Sequence, residues 1–413
     1  MAAPSVAPGP LADLHPWRPH TWLLAFTLAG LLGIILGAAL TLFAPRGEFA
    51  TYRYHLWRWE AETLVPTLAH ITGLGPSPAQ AANEYAVLQY FAITTRIRAE
   101  TAREQPDLQL ITTLENERAI YKNDVERFIS AGIASVVATA DLQRPLPLFN
   151  NIQITWPPVA FELTSPPRLL VRSPRNRIER LGDTLLQPGL TLAEIERIEA
   201  RADSTTTASL VVSLGGLAAY PAIVRDDRSY PAILETAAHE WVHHYLAFYP
   251  LGQQWGKGGD AEALNETVAA IAGREIARLV MLRHPLQFPP GEDGSGPPSN
   301  RNPAIDFDAE MRSLRLAVDD LLAQGRIAQA EQLMEEKRRY LAENGITIRK
   351  INQAYFAFYG TYADSPQSSN PIGPLLETLW QRTGDIGKFL RIARDITSRQ
   401  ELEAALAALE PAP

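Results

Sequence analysis

Residues 239–243 read His-Glu-Trp-Val-His, and no other stretch restricts the fold so tightly. On an α-helix two histidines four positions apart can reach one ion, because i and i+4 lie one above the other on a single face. Glu240, beside the first histidine, then reaches a water held at that ion and can take its proton as general base. The flanks YPAILETAA and HYLAFY suit an amphipathic helix over about 230–248. His244 points about 100° away from the motif's face and is expected at the surface or behind the ligands.

Composition narrows what can complete such a site. The 413 residues contain no cysteine, which excludes a disulfide framework, a thiolate metal site and a cysteine nucleophile. A metal must therefore be held by nitrogen and oxygen. Only eight histidines are present, and three of them fall at 239, 243 and 244. A catalytic zinc takes three protein ligands and keeps a position for water. Asp260, Glu262 and Glu266 are the acidic residues next downstream, the last two at i and i+4 of a helix expected over about 261–282. A hydrophobic share of 46% is ample for a packed core, and the length allows two or three domains or one two-lobed unit. Net charge is −8, so no basic field points to nucleic acid. No P-loop, G-x-S-x-G elbow or dinucleotide fingerprint occurs.

Residues 21–45 form an uncharged apolar run. As a helix it would measure roughly 37 Å, against a hydrocarbon core of about 30 Å. It is too long for a signal-peptide core, so it predicts a single-pass transmembrane anchor after a tail over 1–20. Gly33 and Gly37 make a GxxxG pair through which two copies would pack into a homodimer. Arg18 precedes the run and Arg46, Arg53 and Arg58 follow it, a bias that leans toward a cytoplasmic C-terminal part at the cell membrane. Tyr52, Tyr54, Trp57 and Trp59 fit either an aromatic belt or the first turns of the soluble part. Arg225, Asp226, Asp227 and Arg228 precede the histidine helix and place it outside any span.

Along the rest of the chain the pattern is helical from 77 to 141, with 129–140 reading as a core helix too short to span a bilayer. Between 145 and 174, IQITW, VAFEL and RLLVR are short β-prone runs split by prolines. A helix over 192–202 opens on the capping box of Thr191 and Glu194. Residues 209–224 read as a strand in which Gly215 and Gly216 mark a bulge or a close approach. A Pro/Gly-rich loop over 285–303 separates residues 46–284 from a helical C-terminal lobe over 304–413, with helices over 306–323, 327–344 and 348–362. The expected fold is α+β and mostly helical, with a transmembrane helix, a lobe of small antiparallel sheet plus site helices, and the helical lobe.

An HExxH motif followed about twenty residues later by Asn265-Glu266-Thr267-Val268-Ala269 resembles the gluzincin zinc metallopeptidases. More closely, HEWxHH followed by NETxA is similar to a group of bacterial membrane-anchored proteins described as aminopeptidases. The resemblance covers about 215–275 well and the NQAYFAFYGTYAD stretch loosely. It implies a zincin-like lobe, zinc as cofactor and a peptide or protein substrate. His239, His243 and Glu266 would be the ligands and Glu240 the base. The 22 residues between His243 and Glu266 slightly exceed the clan's usual spacing. Glu262, after 18, matches the spacing but lacks the Asn-Glu context. The resemblance also makes the 209–224 strand an edge that binds extended substrate through its main chain. No Gly-x-Met-Glu-Asn-like segment is present, so recognition of a free N-terminus is not implied. Tyr355, Tyr359 and Tyr362 lie at i, i+4 and i+7, either as an aromatic core stripe or as a source of the oxyanion donor, for which Tyr362 is the candidate. The expectation is a membrane-anchored zinc peptide hydrolase. The alternative is a membrane-tethered binding or scaffold protein with a structural or inactive metal site.

Overall fold

In the computed structural model, residues 49–71, 84–146, 149–257, 260–296, 302–363 and 365–409 are described. After a short 3-10 turn at Ala50–Tyr52 come α1 (Leu56–Ile71), α2 (Glu84–Thr101), α3 (Leu108–Ala119) and α4 (Lys122–Thr139). Five strands follow: β1 (Arg144–Leu146), β2 (Phe149–Ile154), β3 (Phe161–Leu163), β4 (Arg168–Pro174) and β5 (Asp183–Leu186). Then come α5 (Leu192–Ala202), β6 (Thr207–Ser213), β7 (Gly216–Leu217) and β8 (Ala222–Val224). The histidine motif lies on α6 (Tyr230–Leu246); α7 (Pro250–Gln253) leads to α8 (Ala261–Arg283). The C-terminal part adds α9 (Phe307–Ala323), α10 (Ile327–Glu343), α11 (Gln353–Tyr359), α12 (Ile372–Thr383), α13 (Ile386–Ala393) and α14 (Arg399–Ala408).

The fold is mostly helical with small sheets, but the transmembrane helix in the expected fold class is corrected. Among the described residues no helix is long and apolar enough to cross a membrane. The longest, α8, carries Glu262, Glu266, Arg274, Glu275, Arg278 and Arg283, charges that hydrocarbon would not accommodate. The 21–45 run and its Gly33/Gly37 pair lie outside the described residues. Just after them, Tyr54 donates its N–H to the Leu185 carbonyl, Trp59 Nε1 donates to that of Pro221, and Tyr52 packs against Leu170 and Leu186. These three aromatics therefore belong to the folded body.

A second correction concerns the sheet. Instead of one small antiparallel sheet there are three: the hairpin β1–β2, β5-β4-β6 with antiparallel pairs, and β3-β8-β7, in which β3 and β8 run parallel. The strand expected over 209–224 is divided among β6, β7 and β8. The Ala219–Tyr220–Pro221 turn separates the last two, since proline has no N–H to continue the ladder. In the order β3-β8-β7, β7 is an edge.

Two large cores hold most of the elements. The larger joins α2, α4, α6 and α8 to α12–α14; the second packs α9–α11 on the leucines and valines of β4 and β6. The C-terminal helices are thus shared between both cores. The helix over 348–362 is shortened to α11, capped by the Asn352 side chain on the Tyr355 N–H.

Under β3, Glu126 accepts the Leu163 N–H at 2.7 Å and lies 3.7 Å from Lys122. Burial raises this carboxyl from its ordinary 4.5 to about 7, outweighing Lys122. A raised folded value favours the protonated acid. The contribution to stability is therefore full below about pH 4.5 and is lost as pH rises through 7. Glu126→Gln keeps the acceptor without the charge. Chemical denaturation should find it more stable than wild type by about 3 kcal/mol at pH 8 and similar at pH 4.5. Parallel stability–pH curves for the two proteins would refute this.

Candidate metal centre

Helix α6 begins after Ser229, with Pro231 in its first turn, where a missing N–H costs nothing. Residues around most of its circumference are buried, including Ile233, Leu234, Ala237, Trp241, Val242, Tyr245 and Leu246. It is a central helix rather than the amphipathic one expected. Trp241, fully buried, donates Nε1–H to the Pro157 carbonyl at 2.9 Å and fixes the helix rotation. Helix α8 packs antiparallel to it at close range because Gly273 faces His239. A Cβ at Gly273 would come within 2.9 Å of the His239 backbone nitrogen. Two turns back on the same face of α8, Glu266 then reaches both histidines.

His239, His243 and Glu266 form a group that can hold a metal ion, their nearest ligand atoms all lying within 4.8 Å of one another. The two Nε2 atoms are 3.0 Å apart, and Glu266 Oε2 lies 3.6 Å from that of His239 and 3.7 Å from that of His243. Tetrahedral zinc, with bonds of about 2.0–2.2 Å, keeps its ligand atoms about 3.3–3.5 Å apart. The set is thus close to that spacing. Glu266 Oε2 is buried with no hydrogen-bond partner, an orphan acceptor aimed at the histidines. The donor set of two imidazoles and one carboxylate is that of hydrolytic zinc. The residues fit the ion.

Electrostatics agree. Burial alone would lower His243, yet the nearby Glu266 charge outweighs it and raises the imidazole to about 9. Burial would raise Glu266, but the two histidines hold it far below the usual carboxylate range. The carboxylate is therefore ionised and can hold a cation. Glu240, 5% exposed, is raised by burial and by Glu266, against the pull of the two histidines.

Glu262 is not part of this group. Its Oε1 accepts from Arg180 Nη1 at 3.0 Å, near the solvent. Tyr362 is brought in: its ring centre lies 6.2 Å from that of His239, and it lines the same cavity. Burial, then the charges of Glu266 and Glu240, raise its hydroxyl well above the ordinary value, so it keeps its proton. Tyr355 and Tyr359 instead pack on each other beside Phe356 and Phe358. His244 is outside the ligand group, its Nε2 2.7 Å from the Ala219 carbonyl, and it lines the cavity.

The cavity, about 520 Å³, opens beside the metal group and is bordered by Gly216 and Leu217 of β7. Gly216 is required there, since a Cβ would meet Glu240 Oε1 at 2.3 Å. Sequence reasoning missed three further participants. Asn265 Oδ1 lies 2.6 Å from His243 Nδ1 and accepts a hydrogen bond from its N–H, which leaves Nε2 free to face the ion. Thr267 Oγ1 accepts the Ala363 N–H at 2.9 Å and so holds the residue after Tyr362. Arg180 enters from the β4–β5 connection. The NETxA context carried a signal for Asn265, beside the expected ligand; nothing in the spacing marked Arg180.

Asn265→Ala should lower zinc affinity about 10–100-fold, because the His243 ring loses its orienting partner. Competition with a fluorescent chelator measures it, and unchanged affinity would remove Asn265 from the centre. No protein-family model matches this chain, and no curated protein or solved structure matches it at a significant score.

Proposed function

We propose that this centre is the active site of a zinc-dependent peptide hydrolase. One observation carries the reading: the His239/His243/Glu266 group shares an open cavity with the Glu240 carboxylate and with a strand edge that, among the described residues, has no neighbour in its sheet. When bound, zinc would supply Lewis acidity to the attacking water and the scissile carbonyl. Glu240, in its dry niche against Gly216, takes the proton of that water and delivers it to the leaving amine. Tyr362, held protonated, donates to the oxygen on which charge develops. The outer edge of β7 offers main-chain groups to an extended peptide, a general mode of recognition.

The test is metal content together with hydrolysis of a peptide mixture by the purified protein, with zinc and after chelation. The expected result is one zinc per chain and cleavage that chelation abolishes and zinc restores. Stoichiometric zinc without any cleavage would instead indicate a protein that holds its metal for binding or structure, and would sink the hydrolase reading.

A further inference from the structure

Two sheets border the cavity, and among the described residues no strand pair joins them. Leu169 and Leu185 come from β5-β4-β6, whereas Gly216 and Leu217 come from β3-β8-β7. The sheets also belong to different cores. Leu169, Val171, Leu210 and Val212 pack in the second, while Phe161, Leu163, Ala222 and Val224 pack in the larger. Between β3 and β8 the chain crosses from one sheet to the other at residues 164–167 and 214–215. Short connections of this kind can act as hinges unless something else ties the two bodies.

The N-terminal segment makes that tie. Tyr54 donates its N–H to the Leu185 carbonyl at 2.9 Å, and the Gln187 N–H donates to the Tyr52 carbonyl at 2.7 Å. Residues 52–54 thereby cover the outer edge of β5. Phe49 and Tyr52 pack against the cluster of Leu170, Leu186 and Ile198. Only His55 then precedes α1, so the chain has no slack before Trp59. Trp59 donates its Nε1–H at 3.2 Å to the Pro221 carbonyl, in the turn between β7 and β8. One segment of eleven residues therefore grips both sheets.

The turn matters because β7 has only two ladder pairs, Gly216 with Val224 and Leu217 with Ile223. The remaining hold on the edge comes from the turn itself. The Ala219 N–H donates to the Leu217 carbonyl at 2.7 Å, and the Ala219 carbonyl accepts from His244 Nε2 at 2.7 Å. The Tyr220 hydroxyl donates to the Pro158 carbonyl at 3.2 Å. Trp59 supplies the tie that connects this turn to β5.

We propose that residues 49–59 form a strap that fixes the spacing of the two sheets, with Trp59 as the residue that positions the β7 edge for an extended peptide. This rests on the peptide-hydrolase reading of the centre. Trp59 touches neither metal nor peptide; it acts through Pro221 and the turn. Releasing either end of the strap frees the edge, so anything that draws α1 away would loosen peptide binding while leaving the metal in place.

The test is calorimetric titration of the zinc-loaded full chain in the Glu240→Gln form, with an N-acetylated pentapeptide amide carrying leucine at its centre. Trp59→Phe removes the indole donor, and Tyr52→Ala removes the packing at the other end. Each should weaken peptide binding about fivefold, the scale of one lost hydrogen bond. The double variant should also lose about fivefold and not about 25-fold, because one release already frees the strap. Amide hydrogen exchange at residues 216–219 should quicken in all three, with zinc stoichiometry unchanged. The proposal is overturned if no peptide binds, if Trp59→Phe binds as its parent does, or if exchange in β7 is unaltered. Additive losses in the double variant overturn it too, since two local effects need no strap. Loss of zinc would show that Trp59 acts through the metal centre and would overturn it as well. If the binding pattern holds but the protein with Glu240 intact cleaves nothing, the hydrolase reading falls and the strap stands.

Discussion

Glu240→Gln should retain zinc and lose peptide hydrolysis by about 10²–10⁴-fold in kcat, the range ascribed to a positioned acid–base group. The amide is nearly isosteric, so it fills the niche formed by Gly216 and Thr236 without moving α6. It cannot accept a proton, and with the proton-accepting oxygen the substitution removes only the carboxylate charge. KM should change little, because Glu240 acts on the water and the leaving group more than on bound peptide. Steady-state kinetics on one defined peptide, with metal content measured in parallel, checks this. An active, zinc-loaded Glu240→Gln protein would remove Glu240 from the role of base.

Glu266→Ala should weaken zinc binding by more than about 100-fold, beyond the 10–100-fold typical of residues that only orient a ligand. Glu262→Ala should leave zinc affinity within about threefold of wild type. The difference follows from position: Glu266 Oε2 faces both Nε2 atoms with no other partner, whereas Glu262 pairs with Arg180 near the solvent. The reverse order would overturn the ligand assignment. Zinc and protons also compete for the same histidine nitrogens. With His243 raised to about 9 in the metal-free site, binding should release protons, and apparent zinc affinity should fall as pH drops below 9. Titrations at pH 9, 7.5 and 6 give the sign directly; affinity rising toward pH 6 would contradict it.

The site was legible in the sequence wherever its residues share a helix. His239, Glu240 and His243 are related by helical spacing alone, and Glu266 stands beside an asparagine in the next helix. The edge strand was legible only in outline, because its leucines and β-branched residues do not show where a ladder stops. The structure stops it at Ser213 and again at Leu217, leaving β7 two residues long against the cavity. The membrane expectation rested on residues 21–45, outside those described, and the described helices carry too many charges to replace it.

The sequence by itself determined the chemistry available: no thiolate, two imidazoles on one helical face, and a carboxylate between them. It left Glu266 and Glu262 as alternatives, since both lie on one helix and spacing alone did not separate them. Only the tertiary structure decided which carboxylate faces the histidines. That choice depends on how α8 is rotated and how close it comes to α6, and Gly273 against the His239 backbone sets the approach. Arg180 shows the same limit more sharply. It precedes His239 by 59 positions in a connection without periodic pattern, and it meets the centre only because β4–β5 and α11 close one wall of the cavity. Contacts between distant segments follow from packing, which local spacing does not encode.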